Sequence, residues 1–137
     1  MRSVNDILKE KKLRLTPVRE KVMSLIQAQD RAIAHRDIEH SFEQIDRITL
    51  YRTLKSFEEK GIIHKIDDGT GIAKYAMCDT ACDEHHHHDD HVHFHCNYCG
   101  STFCIDEIEA PQIQLPKKHL VEKTTVVLNG KCSDCQN

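Results

Sequence analysis

Hydrophobic residues in the first 60 positions recur with the 3.6-residue period of an α-helix. Val4, Ile7 and Leu8 begin a short amphipathic segment, and "LTPVREKVMSLIQAQD" carries the next. In that stretch Thr16 is placed to cap a helix whose first residue is Pro17. The stretches "HRDIEHSFEQI" and "RITLYRTLKSFEEKG" repeat the pattern. Their apolar stripes are Ile38, Phe42 and Ile45 in the former and Leu50, Leu54 and Phe57 in the latter.

A β-hairpin pattern follows these three or four predicted helices. Two β-prone runs, "GIIHKI" and "IAKYAMC", flank the turn sequence "DDGTG". Short helices followed by a hairpin describe a winged helix-turn-helix, in which the second helix of the motif enters the major groove of DNA. Here that helix is predicted over residues 48–60, with its three apolar side chains facing inward. The residues left toward DNA are Arg47, Thr49, Arg52 and Lys55, with Tyr51 at the boundary.

The second half of the chain has a different pattern. Residues 79–90 are polar and lack apolar periodicity, which is typical of a linker. "HVHFHC" then alternates strictly, which places His91, His93 and His95 on one face of a strand. "STFCI" and "KTTVVLNG" predict further strands, while Pro111 and Pro116 exclude a long helix between them. The pattern predicts a small, mostly β unit.

Composition and charge separate the two halves further. Residues 1–66 hold 14 Lys and Arg against 10 Asp and Glu, whereas residues 67–137 hold 5 against 12. A basic N-terminal half and an acidic, histidine-rich C-terminal half suggest two modules with different partners. The partner expected for the basic module is nucleic acid. No apolar run approaches the roughly 18 residues of a membrane span, and no signal peptide is visible. A cytoplasmic location is therefore expected, where the seven cysteines are metal ligands rather than disulfides.

Four of those cysteines form two C-x2-C pairs separated by 32 residues. Cys96 and Cys99 form the first pair, and Cys132 and Cys135 form the second. Two such turns complete a tetrahedral zinc site with no open coordination position, so the site is structural rather than catalytic. One zinc per chain would explain how so small a β unit stays folded. The alternative is one redox pair and one incidental pair.

The segment "TLYRTLKSFEEKGII" and the string "HVHFHCNYCG", in this order and with a terminal C-x2-C, resemble the ferric uptake regulator family of bacterial metal-dependent repressors. The resemblance implies an α+β chain. A winged-helix DNA-binding domain (1–78) would precede a His/Asp-rich hinge (79–90) and a small α/β dimerisation domain with the four-cysteine zinc (91–137). It further implies a homodimer that binds a palindromic double-stranded operator when a regulatory metal is bound.

The resemblance also suggests individual sites. It places Tyr51 and Arg52 at the DNA, and Arg14 near the minor groove. For the regulatory metal it implies the pair His91 and His93, supplemented from beyond the first C-x2-C and from the wing. The matching positions there are Cys78, which follows the zinc-sensing branch, and either Cys104 or His64, the latter also a position of that branch. Thiolates at Cys78 and Cys104 favour Zn²⁺ over Fe²⁺.

Other functions remain as alternatives. An iron-responsive repressor of the same family is the first, and a metal-storage or chaperone protein is the second. The run "HHHH" (85–88) is interpreted as a solvated loop that binds metal loosely. A zinc enzyme would need an open coordination position and a general base, and no H-E-x-x-H string is present. The expectation is a DNA-binding protein without an organic substrate and without membrane association.

Overall fold

The structure, a computed structural model, describes residues 2–77, 91–122 and 124–136, with the backbone alone for His91 and Asp106. Its elements in chain order are α1 (Val4–Glu10), α2 (Pro17–Gln27), β1 (Ile33–Ala34), α3 (His35–Ser41), α4 (Arg47–Glu59), β2 (Ile63–Ile66), β3 (Lys74–Met77), β4 (His91–Cys96), β5 (Thr102–Glu109), β6 (Val126–Gly130) and a 3₁₀ turn (Asp134–Gln136). We call residues 2–77 the helical unit and the described residues from 91 to 136 the β unit. The fold is of mixed α and β character, as predicted.

Local capping determines where the two main helices begin. The Arg19 backbone N–H donates to the Thr16 hydroxyl over 3.2 Å, so α2 starts at Pro17 as predicted. The Thr49 backbone N–H donates to the Asp46 carboxylate over 2.8 Å. Because Asp46 is the cap, α4 begins at Arg47, one residue before the predicted start.

The helices enclose one apolar core. Its largest fully buried members are Leu8, Val22, Met23, Ile38, Leu50, Leu54, Phe57 and Ile63. Each contributes about 1.5–3 kcal/mol through burial. The predicted third stripe is only partly helical, because Phe42 has φ −131° and ψ 66° and ends α3 at Ser41. Phe42 and Ile45 instead pack on the core from the turn that follows.

The predicted hairpin forms the wing of the helical unit. β2 and β3 pair antiparallel, and the turn between them contains Gly69 and Gly71 at φ +87° and +81°, where a side chain would be strained. The two-residue β1 adds to the other side of β3 and gives the sheet order β1-β3-β2. β1 was not predicted, since two residues carry no periodic signal.

The β unit is a second three-stranded sheet in the order β5-β4-β6. β4 pairs antiparallel with β5, placing His93 opposite Cys104 and His95 opposite Thr102, and it pairs parallel with β6. The register of β4 against β5 shifts between His91 and Val92. Residues 110–122 form no helix, as the two prolines predicted.

The two units meet along the wing and the beginning of β5. The Ala32 backbone N–H, just before β1, donates to the Thr102 carbonyl over 2.8 Å. Side chains of β2 and β3 lie against those of β4 and β5 and form the contacts described in the next subsections. Within the described ranges no helix is long and apolar enough to cross a bilayer.

Candidate metal centres and nucleic-acid interface

The two C-x2-C turns bring four sulfur atoms together at the end of the β unit. Cys96 ends β4, Cys99 follows in the adjacent turn, Cys132 follows β6 and Cys135 lies in the 3₁₀ turn. All four sulfurs lie within 4.8 Å of one another, and the Cys96–Cys135 and Cys99–Cys132 distances are both 3.8 Å. A tetrahedral zinc with Zn–S bonds of about 2.3 Å places its sulfur atoms about 3.8 Å apart. The donor set therefore fits a structural zinc.

Hydrogen bonds prepare part of this cluster for a metal. The backbone N–H groups of Cys99 and Cys132 donate to Cys96 Sγ over 3.5 and 3.4 Å, and they lower the pKa of Cys96 to about 6 although burial opposes this. Contacts with Ser101 lower the pKa of Cys99 as well. The sulfur neighbours, Cys132 first, raise the pKa of Cys135 to about 12. The lowered pKa values make the thiolates of Cys96 and Cys99 easier to form, while Cys135 would lose its proton on metal binding.

A second cluster lies between the two units. His64 on β2 meets His93 on β4 and Cys104 on β5, with all three ligand atoms within 4.8 Å of one another. His64 Nε2 lies 3.3 Å from Cys104 Sγ, and the two imidazole rings meet edge to face at 5.7 Å. A tetrahedral zinc would separate nitrogen and sulfur ligands by about 3.6 Å. We call these three residues the inter-unit cluster.

The histidines of the inter-unit cluster are shielded from solvent. His64 is 3% exposed and His93 5% exposed, while Cys104 is half-buried. The cross-strand pairing of His93 with Cys104 fixes two of the donors on one face of the β unit. Of the other residues predicted here, Cys78 lies outside the described residues, as do the histidines at 85–88 that were interpreted as a solvated loop. The same holds for the His91 side chain.

The predicted DNA-facing residues lie on the outer surface of α4 or beside it. Arg47, Arg52 and Lys55 are exposed, and Tyr51 is 56% exposed with Lys55 Nζ 5.9 Å from its ring. Thr49 differs, because it is half-buried and its hydroxyl donates to Asp46 over 2.8 Å. The side chain of Thr49 therefore belongs to the cap rather than to a free surface.

Arg14, outside α4, and Ile48, within it, complete the outer surface. Arg14 is exposed, and its carbonyl accepts a hydrogen bond from the Arg19 guanidinium over 2.8 Å. The sequence pattern missed Ile48, which is 65% exposed one turn before Arg52. In the sequence, only the polar neighbours of Ile48 matched the pattern of a DNA-binding surface.

Sequence reasoning also missed a buried polar network where the wing meets β5. Asp68, in the wing turn, has a fully buried side chain that binds Lys74 and Thr102. In the sequence Asp68 belongs to the turn "DDGTG" and Lys74 to a β-prone run, so neither residue carries a signal of its own. Their common partner, Thr102, lies 34 positions from Asp68 and 28 positions from Lys74 in the sequence.

A winged helix with exposed basic residues on α4, joined to a β unit that carries the four-cysteine cluster and shares the inter-unit cluster, is typical of metal-binding, DNA-binding proteins. The model of the ferric uptake regulator family matches residues 10–130. The chain belongs to this family, whose members are transcription regulators, and it is therefore a metal-responsive transcriptional regulator.

Individual relatives carry both zinc and iron names. The zinc uptake regulation protein of Mycobacterium tuberculosis is 31% identical over 107 residues, which cover 75% of this chain and 76% of the relative. The ferric uptake regulation protein of Shigella flexneri is 30% identical over 145 aligned positions, covering 96% and 91%. A solved zinc uptake regulator complexed with zinc and DNA superposes with a TM-score of 0.68 at 22% identity, covering 96% and 89%. That likeness establishes the fold.

Proposed function

We propose that this chain is a zinc-responsive transcriptional repressor that binds a palindromic operator as a homodimer when the inter-unit cluster holds zinc. The observation that carries the proposal is the position of that cluster. His64 belongs to the helical unit, whereas His93 and Cys104 belong to the β unit. A regulatory metal held by these three side chains would connect the part that meets DNA to the part that pairs with a second copy.

The donor atoms support zinc as the regulatory metal. Two imidazoles and a thiolate form a set that suits Zn²⁺ better than Fe²⁺, which is more often bound through nitrogen and oxygen. The fourth ligand is proposed to be Cys78, which follows β3 directly in the chain, with His91 as the other candidate. An iron-responsive repressor is the second candidate function, because relatives with iron names match at similar identity.

The connection between the units gives a mechanism for regulation. We assign residues 1–78 to the DNA-binding domain, 79–90 to the hinge and 91–137 to the dimerisation domain. One metal ion can be bound by both His64 and His93 only when the two domains lie in one particular arrangement. A homodimer binds one face of a duplex when its two α4 helices lie about 34–36 Å apart. Metal binding then favours operator binding by stabilising the matching arrangement.

Exposed apolar side chains support the homodimer. Ile108, Ile113, Leu115, Leu120 and Leu128 of the β unit are each between 45% and 86% exposed. The exposure of five large apolar side chains on so small a unit supports an interaction surface. We propose that a second copy of the chain covers them, which leaves both α4 helices free for DNA in the cytoplasm.

The decisive experiment compares metals with the structural zinc retained. The operator would first be selected from a random duplex library with zinc-loaded protein. We expect Zn²⁺ to tighten operator binding about 5–150-fold, the range typical of coupled sites. Activation by Fe²⁺ at saturation without activation by Zn²⁺ would support the iron-responsive alternative. Metal uptake without any metal-dependent duplex binding would indicate storage or chaperone function.

The outer face of α4 provides a second prediction. We expect Arg52→Ala to weaken operator binding by about 1–3 kcal/mol if its guanidinium meets a base edge. Lys55→Ala should weaken all duplexes alike and reduce the slope of log K against log salt by about 1. Lys118→Ala removes an exposed cation from the β unit and serves as the control for net charge. Operator affinity unchanged in both α4 variants would show that another surface contacts DNA.

A further inference from the structure

Besides the inter-unit cluster, the two units share a buried polar contact. The Lys74 ammonium donates three hydrogen bonds, to Asp68 Oδ2 (2.5 Å), Thr102 Oγ1 (3.0 Å) and the Gly100 carbonyl (3.2 Å). Asp68 and Lys74 lie on the wing, whereas Gly100 and Thr102 lie in the β unit. The side chains of Lys74 and Asp68 are 9% and 0% exposed. Water therefore cannot replace these partners without separating the two units.

The carboxylate in this contact has all its acceptor positions occupied. Asp68 Oδ2 accepts from Lys74 and from the Thr102 hydroxyl, and Oδ1 accepts from the backbone N–H and hydroxyl of Thr70. Burial opposes ionisation of Asp68, but Lys74, Thr102 and Thr70 lower its pKa well below the usual range. The ion pair itself lies within the wing, but Gly100 and Thr102, which complete its hydrogen bonds, belong to the β unit.

Thr102 is the centre of the contact on the β-unit side. Its hydroxyl donates to Asp68 over 2.5 Å, and the same oxygen lies 3.0 Å from His95 Nδ1. Its backbone carbonyl accepts from Ala32 over 2.8 Å. One fully buried threonine thus binds both the wing and the segment before β1.

Arg31 extends the contact along β5. Its Nη1 donates to the Ser101 hydroxyl over 2.9 Å, and its guanidinium lies 5.0 Å above the Phe103 ring. The side chain is 34% exposed, so this part of the contact borders on solvent. We define the wing joint as Arg31, Asp68 and Lys74 of the helical unit together with Ser101 and Thr102 of the β unit.

The wing joint and the inter-unit cluster are neighbours on the same strands. His95 and Thr102 form the cross-strand pair two positions along from His93 and Cys104. Two residues along a strand correspond to about 7 Å on the same face. In the wing, His64 is opposite Ala76, two positions from Lys74 on β3. The joint therefore holds the wing next to the strand positions that carry the other two cluster residues.

We infer that the wing joint positions His64 against His93 and Cys104 and thereby sets the affinity of the inter-unit cluster for its metal, although no joint residue belongs to the cluster. The inference rests on the proposed regulatory role of this cluster. Ligands on two separate units bind one ion tightly only when the units are already held together. Metal binding then does not have to supply the free energy for docking the two units. The joint contributes this docking through hydrogen bonds within the chain alone.

The test uses Thr102→Val, which removes the shared hydroxyl yet leaves the Asp68–Lys74 pair intact within the wing. The matched control is Thr70→Val, because the Thr70 hydroxyl donates to the same carboxylate over 2.6 Å from within the wing. Both proteins would keep the structural zinc, and Zn²⁺ affinity of the second site would be measured by competition with a chelator. We expect Thr102→Val to weaken this affinity by roughly 10–100-fold, the range for groups that support metal ligands, and Thr70→Val to change it little.

A second readout tests the joint without the regulatory metal. In protein carrying only the structural zinc, the Ala32 amide should exchange with deuterium faster in Thr102→Val than in wild type or Thr70→Val, because opening of the joint breaks the Ala32–Thr102 bond. Should Thr102→Val fail to fold, Arg31→Ala alters the joint at a half-exposed position and should weaken Zn²⁺ binding in the same direction.

The outcomes separate the two hypotheses. If wild type binds a second Zn²⁺ and both Thr102→Val and Arg31→Ala match its affinity, the inference about the joint is wrong while the proposed function stands. Thr102→Ser restores the hydroxyl and should restore affinity; a loss as large as that of the valine variant would likewise overturn the inference. If wild type binds no second ion, the proposed function fails and this inference fails with it.

Discussion

Cys96→Ser is expected to remove about one zinc per chain and to unfold the β unit. Cys96 is fully buried at the end of β4, and its sulfur accepts backbone hydrogen bonds from both C-x2-C turns. Among the described apolar residues from 91 to 136, only Val92, Cys96 and Cys132 are buried. So small a core cannot offset the conformational entropy lost on folding, whereas a structural zinc contributes about 10–16 kcal/mol.

Metal analysis and circular dichroism of the purified variant would measure both effects, and size-exclusion chromatography would report loss of the dimer. Cys104→Ser is the matched control, because it removes a thiol from the same unit but outside the four-cysteine cluster. The control should keep the structural zinc and the fold. A Cys96→Ser protein that remains a folded dimer with unchanged zinc content would contradict the structural role.

Features with local signals could be predicted from the sequence. Thr16 and Pro17 define the start of α2 because capping depends on neighbouring residues, and the two C-x2-C pairs identify their cluster because each spacing is short. The inward face of α4 follows from helical periodicity. β1 could not be predicted, since it exists only by pairing with β3.

Features that depend on tertiary contacts could be predicted only in part. The sequence left Cys104 and His64 as alternatives for one metal site, whereas the structure brings both to His93. The register of β4 and β5 places Cys104 opposite His93. The contact between the wing and the β unit then brings His64 to Cys104. The wing joint had no signal at all, because a buried lysine and aspartate are indistinguishable from surface residues until the fold encloses them.

His93→Ala is expected to abolish metal-dependent DNA binding while leaving the structural zinc and the dimer intact. His93 is the member of the inter-unit cluster that pairs directly with Cys104 and contacts the ring of His64. Without its imidazole the remaining donors from the described residues are two, one from each unit. We expect Zn²⁺ affinity at the second site to fall by more than the 10–100-fold typical of outer-shell changes.

The loss should appear equally in two measurements, because coupling between sites is reciprocal. Zinc should no longer tighten operator binding by His93→Ala, and operator DNA should no longer tighten its zinc binding. His119→Ala removes an exposed histidine of the same unit and should behave as wild type. Zinc-dependent operator binding that survives in His93→Ala would place the switch at other ligands, with the histidines at 85–88 the next to replace. Survival of an Fe²⁺ response alone would show instead that the cysteine in the cluster does not select zinc.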